Sequence, residues 1–317
     1  MNDFNNQYDS HQGDHLLTGD KVERSSAQKV MSEAGGLFNV SLRAAQFTKD
    51  GQVVTPRDGD GKARNRFVVR ADNNNVLGLH GRGYPSTGGY HFLAEMAESL
   101  FPETTTSCTV FGLGEKIAIT QDLISPVDIG GGDVIQPQIC WISSLNGRWT
   151  TSVYDLSTRL FCQNQLVGQP LVKVKHTKNH DALLDMRVRI LEGAAARARS
   201  AATMARVLRD QAYTDVQFHE LVEKRLLPID YEQMSDVRIR NLVTKQNACK
   251  SAWRTEREEW GSGNRWLAYN AIQGAEQHHI NGMVRGKAKP DRALEKSIER
   301  KVPLAVEAMR VLSTTVA

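Results

Sequence analysis

Cysteine, histidine and amide side chains lie close together near the middle of the chain. The segment STRLFCQNQL (157–166) carries Cys162, and the basic segment VKVKHTKNHD (172–181) that follows carries His176 and His180. A cysteine thiolate activated by histidine is a nucleophilic catalyst. However, Leu160 and Phe161 flank the cysteine, and buried cysteine is common in protein cores. A structural role for Cys162 is therefore the favoured interpretation, with a cysteine-dependent enzyme as an alternative.

Cations around and after this segment indicate a different chemistry. Residues 1–150 carry 13 Lys and Arg against 17 Asp and Glu, whereas residues 151–317 carry 27 against 19. Such an excess of positive charge is typical of a surface that neutralises phosphates. The predicted helix after residue 186 is also rich in arginine. Arg199 and Arg206 are seven residues apart, which places them on one face of that helix. The predicted nucleic-acid contacts are Arg159, Lys173, Lys175, Lys178, Arg187, Arg199 and Arg206.

Single-stranded nucleic acid also requires exposed aromatic side chains on which bases stack. The candidates are Tyr84, Tyr90, Trp141 and Trp149, each of which is equally compatible with a core position.

Motifs for metals, cofactors and phosphate loops are weak. His176 and His180 have the i, i+4 spacing of helical metal ligands, but no third ligand stands at a matching distance. GLGEK (112–116) lacks the spacing of a nucleotide-binding loop and leads into a β-prone run, so a hairpin or a bulge is predicted there. DIGGGDVI (128–135) is interpreted as a loop tip. We therefore predict no cofactor, no metal and no catalytic residue, and these observations favour a protein that is not an enzyme.

The order of predicted elements is strands first and helices afterwards, which favours an α+β fold with an N-terminal half rich in antiparallel sheet and a helical C-terminal half. Residues 1–24 are polar and are predicted to be a disordered tail. Residues 25–180 form the strand-rich region, and residues 181–317 form a helical region packed on it. In the first helix of that region, apolar residues at 183, 186, 190, 194, 201, 204 and 208 predict the buried stripe.

Turn and cap signals support the same organisation. A serine cap and Gly35–Gly36 bound a helix over 25–36, and KDGQ (49–52) and Asn146–Gly147 predict hairpin turns. Thr214 is a predicted helix cap.

The chain contains no apolar run long enough to span a bilayer, and its N-terminus lacks the pattern of a secretory signal. Its four cysteines are far apart in sequence, which is typical of reduced thiols. A cytoplasmic location, in a bacterial host, is the resulting expectation.

Three segments, in the same order, resemble one family. They are VVRADNNNVLGLHGRGY (68–84), TRLFCQNQL with KVKHT (158–177), and NRWLAYNAIQGAEQHH (264–279). The chain is similar over about residues 30–285 to the phage/plasmid-like protein family, also called domain of unknown function 932. Gln165 stands where that family commonly has threonine. The resemblance implies a phage or mobile-element origin and, by layout, a likeness to single-strand annealing recombinases.

The leading hypothesis is a phage-type DNA-metabolism protein that binds single-stranded DNA as a homo-oligomer and supports annealing, recombination or replication. The alternative is a non-enzymatic factor that binds and modulates a host protein.

Overall fold

The protein has an α+β architecture, as predicted, with antiparallel sheets in the N-terminal half and helices in the C-terminal half. A computed structural model describes eight stretches of the chain. They are residues 24–84, 89–160, 165–174, 187–281, 283–284, 287–288, 290–299 and 302–314. The tail predicted to be disordered therefore lies, apart from its last residue, outside the described residues.

Thirteen strands occur in the described residues. They are β1 (Val40–Ala44), β2 (Phe47–Lys49), β3 (Gln52–Val54), β4 (Asn65–Arg70), β5 (Val76–Gly81), β6 (Thr105–Phe111), β7 (Lys116–Asp122), β8 (Val127–Gly130), β9 (Asp133–Ser144), β10 (Thr151–Arg159), β11 (Gln165–Val174), β12 (Met283–Val284) and β13 (Lys287–Ala288).

Eight α-helices accompany them in the same described residues, and two of these continue as a π-helical turn. They are α1 (Ala27–Glu33), α2 (His91–Leu100), α3 (Arg187–Arg209), α4 (Asp215–Glu220, continuing as Leu221–Leu226), α5 (Asp236–Trp260), α6 (Arg265–Gly274, continuing as Ala275–Asn281), α7 (Pro290–Ile298) and α8 (Pro303–Thr314).

Local turn chemistry places the strand-rich elements where the sequence predicted them. Ser26 caps α1, because its hydroxyl accepts a hydrogen bond from the Lys29 amide, and Gly35 follows the helix with a φ of +69°. At the β9–β10 turn, Gly147 has a φ of +74° and the Asn146 side chain accepts from the Arg148 amide. GLGEK forms the β6–β7 hairpin and KDGQ forms the β2–β3 hairpin, which confirms all four predictions.

Two sheets dominate the strand-rich part. The smaller sheet has the order β1-β4-β5, with Leu42 opposite Val68 and Val68 opposite Gly78. The larger is six-stranded, in the order β11-β10-β9-β7-β6, with β8 paired to β9. Because side chains alternate across a strand, one face of the larger sheet presents Ile119 and Trp141 to an apolar core.

The chain divides into two compact units that interleave along the sequence. The first contains the described residues up to Ser125, together with Pro137–Leu156 and Gly168–Ala198. The second contains Pro126–Gln136, the described residues of Ser157–Val167, and those from Arg199 onward. The last change from the first unit to the second falls within helix α3, between Ala198 and Arg199.

Each unit has its own hydrophobic core. In the first, α1 and α2 contribute Met31 and Leu93, which pack with Ile119, Ile139 and Trp141 of the larger sheet. In the second, the core includes residues from α3 to α6 and α8, where the ring of Trp253 stacks on that of Phe218 at 4.6 Å. Thr214 caps α4 through a reciprocal hydrogen-bonded box with Gln217, as its position predicted.

Candidate nucleic-acid interface

One face of helix α3 is a buried row of apolar side chains, mostly alanine, and this leaves arginines on the opposite, exposed face. The buried residues are Ile190, Ala194, Ala198, Ala202, Ala205 and Leu208, spaced three or four apart as one helical face requires. The predicted stripe was correct at 190, 194 and 208 but wrong at 204, because the Met204 side chain is exposed. In an alanine-rich helix, hydropathy contrast is small, so packing decides which alanines are buried.

Arg199 and Arg206 lie on the exposed side of α3 in the second unit. Both side chains are exposed, and the Arg206 Nη2 donates a hydrogen bond of 2.9 Å to the backbone carbonyl of Asp128. Among the residues that the structure describes, neither guanidinium has a carboxylate within ion-pair distance. By contrast, Arg197, in the first unit, pairs with Asp155 at 3.3 Å. Arg199 and Arg206 are therefore cations available to an anionic ligand.

A glycine turn lies against the last turn of α3. Gly130 ends β8, Gly131 and Gly132 connect it to β9, and all three have positive φ (+120°, +58° and +82°). A Cβ built on Gly130 would lie 2.5 Å from the Arg209 Nη1, and one on Gly131 would lie closer still to Nη2. The Arg209 guanidinium is thus packed on bare backbone, a contact that only glycine permits without movement of the arginine.

Arg159 has a different role from the one its basic neighbourhood predicted. Its side chain is 0% exposed and forms bidentate ion pairs with two carboxylates, at 2.7 and 2.8 Å to Asp133 and at 2.8 and 2.7 Å to Glu256. The Trp266 indole donates to Asp133 at 2.9 Å, and the Trp260 ring lies 4.9 Å from the Arg159 guanidinium carbon. All five residues belong to the second unit. A phosphate cannot reach this guanidinium, so Arg159 is a structural cation and not a surface contact.

The buried cluster contains one cation and two carboxylates. Burial raises the pKa of the Glu256 carboxyl above its ordinary value, and the neighbouring Asp133 acts in the same direction, while Arg159 opposes both. Two carboxylates competing for one guanidinium leave the site with excess negative charge when both are ionised. Within the second unit, charge-assisted hydrogen bonds of the cluster therefore connect Asp133 and Arg159 to residues of α5 and α6.

The remaining predicted contacts are only partly visible. The Lys173 side chain, in β11, is exposed. Arg187 is the first residue of α3, but its side chain is not described, and Lys175 and Lys178 lie outside the described residues. Cys162 and His176, the pair considered for catalysis, also lie outside them.

The three cysteines that the structure describes are buried. Burial raises the pKa of the Cys140 and Cys249 thiols to about 12, and that of Cys108 well above its ordinary value. These three side chains are therefore protonated at neutral pH and poor nucleophiles. The described part of the chain also brings no three His, Cys, Asp or Glu side chains together as metal ligands.

The four aromatic side chains proposed for base stacking are buried or packed against another ring. Tyr90, Trp141 and Trp149 are buried, and the Tyr84 ring stacks on His80 at 3.8 Å. Among the described residues of the second unit, the most exposed aromatic side chain is that of Tyr231, at 72%. Sequence reasoning missed it, although an aromatic residue in the polar segment between Pro228 and α5 was the available signal.

The comparisons with known proteins add one finding. A family model described as "Domain of unknown function (DUF932)" matches residues 88–302, about two thirds of the chain. The chain belongs to the DUF932 family. No curated protein matches the DUF932 chain, and no solved structure does. Among the residues that the structure describes, no helix combines the length and hydropathy needed to cross a bilayer.

In the DUF932 chain, two of the segments that carried the resemblance meet in the second unit. Arg159, from the first of them, and Trp266, from the other, both bond to Asp133. The Asn270 side chain donates to the Trp266 carbonyl at 2.8 Å, and the half-buried His278 lies on the π-helical turn that follows. Arg159, Trp266 and Asn270 therefore lie in the interior of the DUF932 domain, whereas Arg199 and Arg206 of α3 are exposed.

Proposed function

We propose that this protein binds single-stranded DNA by neutralising the phosphate backbone. The observation that carries the proposal is the exposed side of α3, where Arg199 and Arg206 have no carboxylate partner among the described residues. An exposed arginine without a carboxylate partner keeps its charge available to an external anion.

The spacing of the two arginines suits an extended polyanion. Seven helical residues span about 10 Å along the axis, so Arg199 and Arg206 would contact different phosphates of one strand. The exposed Tyr231, in the same unit, offers an aromatic face for base stacking, which favours a single strand over a duplex.

The biological setting belongs to the same proposal. Binding to a single strand would serve annealing, recombination or replication of a phage or mobile element, in a bacterial cytoplasm. Such proteins act on long strands, so a homo-oligomer is expected. The native molar mass in solution, measured with and without oligonucleotide, checks this expectation.

Fluorescence anisotropy of a labelled single-stranded oligonucleotide, titrated over a salt series, tests the proposal. Removal of one phosphate-binding cation should reduce the magnitude of the slope of log affinity against log salt by about 0.7. We expect that decrease in Arg199→Gln and Arg206→Gln, and about twice as much in the double variant. Arg310→Gln is the matched control, because Arg310 is exposed but paired with Glu307. Absence of binding at low salt, or binding that ignores salt, refutes the proposal.

One observation favours a protein-interaction factor as a second candidate. In the first unit, the sheet β1-β4-β5 exposes Val76 and Leu79, and a groove of about 430 Å³ on it is lined partly by Phe67 and Val69. Exposed apolar side chains grouped on a sheet are common at protein interfaces. Leu79→Asp should then abolish capture of a specific partner from bacterial lysate without changing oligonucleotide affinity. If capture is unchanged, this candidate is wrong.

A further inference from the structure

The Arg209 guanidinium has an unusual environment for a cation at the end of a helix. Its Nη1 is fully buried and has no hydrogen-bond partner. The group is held against Gly130 and Gly131, and no carboxylate among the described residues pairs with it. A buried N–H without an acceptor is unfavourable, so native proteins rarely leave one unless a ligand or water completes it.

Arg206 adds a second guanidinium one helical turn earlier. Its Nη2 bonds to the carbonyl of Asp128, the residue two before Gly130, so both arginines are fixed to the β8–β9 hairpin. The Asp128 carboxylate accepts a hydrogen bond from the Gly130 amide. The hairpin and the end of α3 therefore bring two cations to one bare-backbone turn within the second unit.

We propose that Arg206 and Arg209, held on the turn at Gly130 and Gly131, form a discrete site for one phosphate group. Two guanidinium groups present several N–H donors in the planar arrangement that phosphate oxygens accept. Glycine at positions 130 and 131 lets the Arg209 guanidinium lie directly on the main chain, because a Cβ at either position would overlap it. The identity of the ligand rests on the proposed function, since the phosphate is assigned to the backbone of a bound strand.

The glycine turn supplies a matched pair of variants. Gly131→Ala places a Cβ on the Arg209 guanidinium, which can move because it ends a flexible side chain. Gly132→Ala introduces similar backbone strain at positive φ, but its Cβ would meet nothing within 4 Å. The two substitutions therefore differ mainly in whether the guanidinium is displaced.

Two measurements on the full chain test the site. The first is oligonucleotide affinity over a salt series, for which Arg209→Gln and Gly131→Ala should bind about tenfold more weakly, with a slope smaller in magnitude by about 0.7. The second is the thermal midpoint in inorganic phosphate against sodium chloride of equal ionic strength. Phosphate should raise the midpoint of the unmodified protein and of Gly132→Ala more than chloride does, and should lose this advantage in Arg209→Gln and Gly131→Ala.

The outcomes separate the site from the function. If the unmodified protein binds the oligonucleotide but Arg209→Gln and Gly131→Ala match it in both measurements, the site is wrong and the proposed function stands. If no oligonucleotide binds but phosphate protection depends on Arg209, the anion site stands and the proposed function is wrong. If neither ligand has an effect, both are refuted.

Discussion

Replacement of Arg159 by methionine tests the buried charge cluster most directly. Methionine matches the aliphatic part of the arginine side chain, so Arg159→Met removes the cation and keeps the packing of that part. Asp133 and Glu256 then remain buried with four fewer charge-assisted hydrogen bonds, each of which measures 2.7 or 2.8 Å. The substitution isolates the electrostatic role of Arg159.

The expected loss is large. Breaking a buried ion pair by removing one partner typically costs about 3–5 kcal/mol, because a charge stays buried without compensation. Here two carboxylates lose their partner, and Trp266 still donates one hydrogen bond to Asp133. Protonation of Glu256 relieves part of the cost. We therefore expect a loss of about 3–5 kcal/mol in the free energy of unfolding, out of the 5–15 kcal/mol typical of a protein.

Urea unfolding followed by tryptophan fluorescence and circular dichroism measures this loss. The control is Arg310→Met, because Arg310 pairs with Glu307 on the surface, where the two side chains are 63% and 42% exposed. An exposed pair contributes about 0–1 kcal/mol. If Arg159→Met lowers the free energy of unfolding no more than Arg310→Met does, the reasoning about the buried cluster is wrong.

The same variant predicts a pH dependence. In the native protein, burial already raises the pKa of Glu256 above its unfolded value. A raised carboxyl pKa stabilises the folded state at low pH, and that contribution is lost as pH rises through the folded pKa. Without Arg159 the pKa rises further. The loss in the free energy of unfolding caused by Arg159→Met should therefore be smallest in mild acid and should grow towards neutral pH. A deficit independent of pH would contradict the assignment of Glu256.

Two further predictions concern other buried groups. A thiol-reactive dye should leave the buried Cys108, Cys140 and Cys249 unlabelled in the native protein, so any fast labelling should vanish in Cys162→Ser; fast labelling that survives this substitution contradicts the burial of the other three. Burial lowers the pKa of His278 from 6.5 to about 4. As pH decreases, this histidine therefore becomes protonated in the unfolded chain at a higher pH than in the folded protein, and the free energy of unfolding falls between about pH 6.5 and about pH 4. His278→Gln should remove roughly 3 kcal/mol of that loss, as urea midpoints at several pH values would show; parallel curves for the two proteins would contradict it.

The predictable part of the fold depends on local chemistry. The serine cap of α1, the glycines after it, the Asn146–Gly147 turn and the capping box at Thr214 each act within a few residues of the chain. The order of the elements, strands first and helices afterwards, likewise follows from local periodicity. For this reason the α+β class and most hairpins were predictable from the sequence.

The candidate site was predictable only in part. Arg199 and Arg206 were identified because their spacing alone puts them on one helical face. Arg209 was visible among the helix arginines, and the three glycines were interpreted as a loop tip. Nothing in the sequence joined them, because the two segments lie about 80 residues apart.

The sequence by itself determined that this chain is an α+β protein with a cationic second half and membership of a family it visibly resembles. Only the tertiary structure decided what each cation does. Arg159 and Arg206 have the same chemistry, yet one is neutralised by Asp133 and Glu256, 26 and 97 residues away, and the other faces solvent. The physical reason is that contacts between distant segments determine how far a side chain is desolvated and which charged groups lie beside it. Local spacing in the sequence does not encode those contacts.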